Sequence, residues 1–136
     1  MVRHYAISVG PFPRGFHVIT RQVFEAVAQW PEQGMLYVFI QHTSAGLCIN
    51  ENADPTVRQD FELFFDRLAP ENLPGIQHDM EGLDDMPAHI KSVLTGSSVS
   101  IPIVDGQPAL GIWQGIFLCE FRMQARPRDL LITMME

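Results

Sequence analysis

The sequence predicts an α+β protein: an antiparallel, sandwich-like body of strands with two or three flanking helices. Segments with strand-type apolar patterns stand at both ends of the 136-residue chain, and segments with helical spacing lie between them. This order favours α+β over repeated βαβ units. The length predicts a single domain, residues 1–136, and an apolar fraction of 46% is enough for a core.

The first three elements are predicted before residue 31. Arg3–Val9 is typical of a strand that ends at a Gly-Pro turn, and Gly15–Ile19 predicts a second, short strand. Thr20 is a favourable helix N-cap. Apolar residues follow it at helical spacing until Pro31, which ends the predicted helix.

A central strand and a longer helix come next. Met35–His42 is apolar on both faces, which predicts a strand covered on both sides with His42 at its end. Leu47–Asn50 is expected to continue the strand pairing after a break at Ala45-Gly46. Asp54 then caps a helix whose first position is Pro55, and apolar residues at helical spacing mark one face as far as Leu68.

A short helix is predicted to begin near Pro87 and to end at Gly96. Its apolar face consists of Met86, His89, Ile90 and Val93. This spacing turns His89 toward the core side and Lys91 outward.

The last third is predicted to be β-structure. Asp105-Gly106 is a strong hairpin signal after the strand Val99–Val104. The strands that follow are predicted at Leu110–Trp113, Ile116–Met123 and Leu130–Met135. Three arginines at positions 122, 126 and 128 are typical of a solvated hairpin.

Composition excludes several classes of function. A net charge of −7 argues against nucleic acid as the main partner. No apolar run approaches the ~20 residues that span a bilayer. The first residues lack a signal-peptide pattern, so we expect a cytoplasmic protein without a membrane partner. Cys48 and Cys119 lie in apolar segments and are expected to be buried thiols.

Histidines and carboxylates cluster in two places. His42-Thr43-Ser44 closes the most hydrophobic run, and the segment from His78 to His89 contains two histidines among four carboxylates. Imidazole and carboxylate are the groups that metal binding and proton transfer use. Asp85 and His89 are four residues apart, so on one helix the carboxylate would lie beside the imidazole and orient it.

Each candidate also has a plain structural explanation. His42 could be a core histidine with a backbone partner, and His78 a solvent-exposed loop residue. Asp84 and Asp85 suit the positive end of a helix dipole. Glu51 either faces a cleft or solvates a loop. The roles of Asp79 and Asp84 stay open, and His4 and His17, without acidic neighbours, are expected to be structural.

The motifs together resemble the YjbQ-type family, whose members are often labelled secondary thiamine-phosphate synthases. The motifs that carry the resemblance are His42-Thr43-Ser44-Ala45, Asn50-Glu51 with Asp54-Pro55, the block from His78 to His89, and Gly111-x-Trp113-Gln114. The sequence departs from the family pattern at Ile112, where threonine is usual, and at Leu83, which follows Glu81-Gly82 where the pattern has the asparagine of Glu-Gly-Asn before an aspartate.

The resemblance implies a trimer with a pocket near the histidines, close to a subunit boundary. It implies a weak transferase reaction that joins hydroxymethylpyrimidine diphosphate to a thiazole phosphate and releases pyrophosphate. Candidate metal ligands for zinc or magnesium are His42, His78 and His89. Candidate catalytic residues are Asp85, His89 and Glu81, and candidate ligand-binding residues are Thr43, Ser44, Asn50, Glu51, Trp113 and Gln114.

Three functions remain open at this point. The first is an enzyme in which a divalent metal assists the departure of pyrophosphate from a small phosphorylated ligand. The second is a non-catalytic module that binds a metal or a small molecule at the same residues. The third is a structural trimer whose polar cluster stabilises the subunit boundary.

Overall fold

The computed structural model describes residues 1–136 and contains eight strands and three helices, which confirms the α+β class. In chain order the elements are β1 (Val2–Val9), β2 (Gly15–Val18), α1 (Thr20–Ala26), β3 (Gln33–Ile40), β4 (Ala45–Glu51), α2 (Pro55–Leu68), α3 (Asp85–Thr95), β5 (Ser98–Val104), β6 (Gln107–Pro108), β7 (Gln114–Glu120) and β8 (Arg128–Met135). None of the three helices has the length and apolar character needed to cross a membrane.

The strands form two antiparallel sheets that pack face to face. The larger sheet has the order β1-β8-β3-β5-β6, and the smaller has the order β2-β7-β4. Leu36 and Ile132 of the larger sheet and Leu47 and Leu118 of the smaller one are fully buried in the core between them. The predicted sandwich-like body is therefore confirmed.

Helices α2 and α3 cover the outer face of the smaller sheet, so its central strand β7 is buried on both sides. Phe117 and Cys119 on the outer face of β7 pack with Phe16 and with Ala88 of α3. Cys48 is half-buried, and its Sγ lies 3.6 Å from that of Cys119, both as free thiols. Because α3 lies along β4, its N-terminal end meets the turn that precedes β4.

The prediction that strand β3 is covered on both sides is wrong. Leu36, Val38 and Ile40 face the core, but Tyr37 and Phe39 on the opposite face are exposed. No element of the chain packs on that face because α2 and α3 lie on the smaller sheet. The strand covered on both sides is β7, whose apolar run is equally continuous.

Local sequence signals correctly predicted the start of one helix and one hairpin turn, but the helix cap predicted at a third position is absent. Asp54 caps α2 through its Oδ1, which accepts from the Thr56 N–H at 2.9 Å. Asp105 and Gly106 both have positive φ, as the predicted hairpin requires. Thr20 does not cap α1, because its hydroxyl accepts the Ile116 N–H at 2.9 Å instead.

Two element boundaries also differ from the prediction. Helix α1 ends at Ala26, well before Pro31, since Val27 already has an extended conformation. The predicted strand Leu110–Trp113 is absent; the hairpin partner of β5 is the short β6, and a turn leads from there to β7.

The expectation that Lys91 points outward is also wrong. Its Nζ lies 2.6 Å from Asp66 Oδ1 and above the Phe121 ring, and the residue is 2% exposed. Val93 on the apolar stripe is 82% exposed. Helix α3 is therefore rotated relative to its sequence pattern, and this rotation also places Asp85 on the buried side.

Candidate metal centre

Four titratable side chains meet at the N-terminal end of α3. The ligand-type atoms of His78, Glu81, Asp85 and His89 all lie within 4.8 Å of one another. Asp85 and His89 are one helical turn apart on α3 and share a face, as their spacing predicts. His78 and Glu81 come from the loop between α2 and α3, which has no regular secondary structure of its own.

The Asp85 carboxylate is at the middle of this group. Its Oδ2 lies 2.6 Å from His78 Nε2 and 3.0 Å from His89 Nε2, and its Oδ1 accepts a hydrogen bond from Arg122. Burial of the group opposes ionisation. The hydrogen bond with His78 and the positive charges of His89 and Arg122 outweigh burial, so the pKa of Asp85 lies below its ordinary value. Asp85 is therefore a carboxylate at neutral pH.

The backbone of Thr43 determines the tautomer of His89. The Thr43 carbonyl oxygen lies 2.8 Å from His89 Nδ1, and a carbonyl can only accept, so Nδ1 carries a proton. In the neutral imidazole, Nε2 then presents a lone pair to Asp85 Oδ2. This contact is attractive only if Nε2 is protonated or if a cation lies between the two atoms. Histidines that bind metals commonly donate their second N–H to a carbonyl in this way.

Arg122 connects the site loop to the segment that follows β7. Its Nε donates to Asp84 Oδ2 at 2.9 Å, and its Nη2 donates to the Glu81 carbonyl at 2.9 Å. The same Asp84 oxygen accepts the Met123 N–H at 2.8 Å. Asp84, whose role the sequence left open, thus holds the start of α3 in place. Asp79 is exposed and takes part in no ion pair.

His42 lies outside the four-residue group. Strand β3 ends at Ile40, and the His42 Nε2 accepts the Asp129 N–H at 2.8 Å. Burial and the nearby Arg128 charge lower the pKa of His42 below its ordinary value. The imidazole is therefore neutral, with its proton on Nδ1. Of the three histidines expected to meet, His78 and His89 belong to the four-residue group, whereas His42 is bonded to the Asp129 backbone.

The predicted ligand-binding residues separate into two groups. Thr43 and Ser44 lie beside the centre, where Ser44 Oγ accepts from Arg128 at 3.1 Å. Glu51 and Gln114 are paired at the opposite end of the β4–β7 ladder. That end is six residues, or about 20 Å, from the Ala45–Glu120 pair.

The distant group has contacts of its own. The Asn52 N–H donates to the Trp113 carbonyl at 2.9 Å, and Gln114 Oε1 accepts the Gly111 N–H at 2.7 Å. Trp113 is 61% exposed. One carboxylate oxygen of Glu51 is buried without a hydrogen-bond partner, while Asn50 Oδ1 accepts the Glu51 N–H.

Sequence analysis missed the roles of two arginines. Arg128 is buried and forms a two-pronged ion pair with Glu120, which is completely buried, and Arg122 contacts the centre directly. The signal was Glu120 itself: a carboxylate inside an apolar strand requires a cationic partner nearby. These arginines are not a solvated hairpin, although Arg126 is exposed.

Comparison with known proteins identifies close similarities along the chain. The family model described as "UPF0047 protein YjbQ-like" matches residues 6–136. The UPF0047 protein YjbQ of Salmonella typhimurium is 45% identical over 130 residues, which cover 94% of each chain. A conserved hypothetical protein of Thermus thermophilus has a similar structure, with a TM-score of 0.82 and 38% identity over 93% of this chain and 96% of that one. An uncharacterized YjbQ/UPF0047 protein of Clostridium acetobutylicum gives a TM-score of 0.79 with 36% identity, covering 98% and 99% of the two chains.

Proposed function

For this chain, which belongs to the YjbQ-like UPF0047 family, we propose a cytoplasmic protein that binds a divalent cation. The proposed ligands are His78, Glu81, Asp85 and His89. The observation that carries this proposal is the approach of two imidazole Nε2 atoms to a single Asp85 oxygen, one of them with its tautomer held by a backbone carbonyl. A cation between these atoms would take the place of the proton that His89 Nε2 otherwise needs for an attractive contact with Asp85, and would bond to each lone pair. It also accounts for the buried position of Asp85 at the middle of the group.

The donor set fits zinc better than magnesium. Two nitrogens and two carboxylates are typical zinc ligands, whereas magnesium prefers oxygen ligands and retains its water molecules. Ligand atoms about 2.1 Å from a tetrahedral ion are about 3.4 Å from one another. The separations from His78 Nε2 to Asp85 and Glu81 are 2.6 and 3.5 Å, and that from His89 Nε2 to Asp85 is 3.0 Å. These three separations differ from the tetrahedral spacing by less than 1 Å, and no two of the four ligand atoms are more than 4.8 Å apart.

We further propose that the centre acts on a small phosphorylated molecule and that thiamine-phosphate synthesis is a weak side reaction. A divalent cation held by these four residues would supply Lewis acidity, which favours the departure of a negatively charged leaving group such as pyrophosphate. The residues of the chain orient the donors: the Thr43 carbonyl holds His89, and Arg122 holds Asp85 and the Glu81 backbone. Glu81 and His78 are 63% and 47% exposed at the side chain, which leaves the centre accessible to a ligand.

The activity proposal predicts slow formation of thiamine phosphate from hydroxymethylpyrimidine diphosphate and thiazole phosphate. The rate should be far below the ~10 s⁻¹ typical of enzymes, and chelation followed by dialysis should abolish it. The chain has 136 residues, whereas the eight-fold barrel of dedicated synthases needs at least ~200 residues; this difference is consistent with a side activity. The measurement is product formation with and without added zinc, against heat-inactivated protein.

If zinc binds but no product forms above that control, the protein is a metal-binding module and the transferase label is withdrawn. If neither zinc nor magnesium binds, the centre itself is disproved. The two results therefore separate the enzyme from its non-catalytic alternative.

We also propose a homotrimer, which predicts a light-scattering mass of three subunits at micromolar concentration. Exposed apolar side chains support a subunit contact, among them Trp113 at 61% and Ile112 at 88%. Replacing both with serine should reduce the mass, because apolar area buried between subunits is the main driving force for association. A mass of one subunit for the unmodified protein would contradict the proposal.

A further inference from the structure

A cavity rich in arginine adjoins the metal centre. It has a volume of about 470 Å³ and is lined by His42, Glu81, Arg122, Gln124, Ala125, Arg126 and Arg128. Three of the nine basic residues of an acidic chain thus surround one concave site. Glu81 belongs both to this cavity and to the four-residue group, so that the two sites share a wall.

The carboxylates that neutralise Arg122 and Arg128 are outside the cavity. Arg122 is paired with Asp84 and Asp85, and Arg128 with Glu120, and none of these acids lines the cavity. Asp85 and Glu120 are buried and Asp84 is half-buried, with side-chain exposures of 2%, 0% and 14%. The two guanidinium groups are therefore held rigidly, and a ligand in the cavity would meet them together with a single carboxylate, that of Glu81.

Hydrogen-bond donors remain unused on every arginine. A guanidinium has five N–H donors. The contacts of Arg122 use its Nε, Nη1 and Nη2 once each, and Nη1 of Arg128 has no partner in the chain. Arg126 is exposed and forms no ion pair. The neutral His42 adds an Nδ1–H, because Asp129 occupies its Nε2.

We propose that this cavity binds the phosphate group of a small-molecule ligand, with Arg126 as the residue that supplies the uncompensated charge. The proposal rests on the proposed function in one respect, since it takes the ligand of the adjoining metal centre to be phosphorylated. Phosphate offers several acceptor oxygens in different directions, which suits planar donors from three arginines. The volume is that of a small-molecule pocket. A ligand held here by its phosphate places its other end against the wall that carries Glu81.

The test is calorimetric titration of inorganic phosphate into metal-free protein at constant ionic strength. Without metal, coordination of phosphate by a cation does not contribute, and constant ionic strength removes differences in screening. Saturable binding with one site per chain is expected. Arg126→Gln should weaken this binding roughly tenfold or more, as expected for the loss of charge-assisted hydrogen bonds. Arg126→Lys retains the charge but not the planar donors, so its phosphate affinity should lie between those of the unmodified protein and Arg126→Gln.

The matched control is Arg67→Gln, which removes an exposed arginine of α2 that lies outside the cavity and forms no ion pair. It should leave phosphate binding unchanged. Equal weakening by both variants, or no saturable binding by the unmodified protein, would overturn the inference. Zinc binding is measured in parallel. If zinc does not bind but phosphate binding still depends on Arg126, the metal proposal fails and the phosphate subsite stands. If zinc binds and phosphate does not, the phosphate subsite is disproved and the metal centre stands.

Discussion

Replacing His89 with alanine is expected to lower zinc affinity by at least about 100-fold. Loss of residues that only orient metal ligands costs 10–100-fold, and His89 is a proposed ligand as well as the group that the Thr43 carbonyl orients. The imidazole is 30% exposed at the side chain and lies outside both apolar core clusters, so the fold should persist. The measurement is zinc affinity by competition with a chromophoric chelator, with circular dichroism as the check on folding.

Two matched variants make this result specific. His17 bonds to the Pro13 carbonyl and stacks on Phe12, away from the four-residue group, so His17→Ala should leave zinc affinity unchanged. Thr43→Val should also leave it unchanged, because Thr43 acts through its carbonyl and not through its hydroxyl. Wild-type zinc affinity in His89→Ala would show that the metal is bound elsewhere.

The second large effect is expected on stability. Glu120→Ala should lower the free energy of unfolding by about 3–5 kcal/mol, the usual result of leaving one member of a buried ion pair unpaired. Glu120 is completely buried, and Arg128, which it neutralises, is 8% exposed at the side chain. The measurement is urea unfolding at fixed protein concentration, because association into the proposed trimer would also contribute to stability.

The control is Arg21→Ala, which breaks an ion pair whose side chains are 87% and 62% exposed. That change should not shift the unfolding midpoint measurably, because exposed pairs contribute little. Replacing both members of the buried pair with apolar residues, Glu120→Leu with Arg128→Met, should recover part of the loss. A Glu120→Ala midpoint as high as that of Arg21→Ala would contradict the argument.

The fold was largely predictable because its main signals are local. Asp54-Pro55 begins a helix and Asp105-Gly106 turns a hairpin through the conformational preferences of those residues alone. The pair Asp85 and His89 was predictable for the same reason, since helical spacing alone makes them neighbours. These features need no knowledge of which elements pack together.

The features that could not be predicted depend on packing. Lys91 is buried because α3 rotates to place it beside Asp66, and no pattern within the helix reveals a partner 25 residues earlier. His42 accepts a hydrogen bond from the Asp129 backbone, a partner 87 residues away that no pattern around His42 reveals. The outer face of β3 is exposed for the same kind of reason: α2 and α3 cover the smaller sheet, and the pattern within β3 does not show which sheet the helices cover.

The contacts in and around the four-residue group join residues that are far apart in the sequence. The Thr43–His89 contact spans 46 residues, the contact of Asp84 with Arg122 spans 38, and that of Ser44 with Arg128 spans 84. Closing such loops costs conformational entropy that only the assembled sheets and helices repay. The unfolded chain therefore has no preformed centre, and a cation that binds the native state shifts the folding equilibrium by RT ln(1 + [M]/Kd). At 100 times its Kd, zinc would add about 2.7 kcal/mol to the free energy of unfolding, so the availability of the ion in the cell would help to determine how long the folded protein survives.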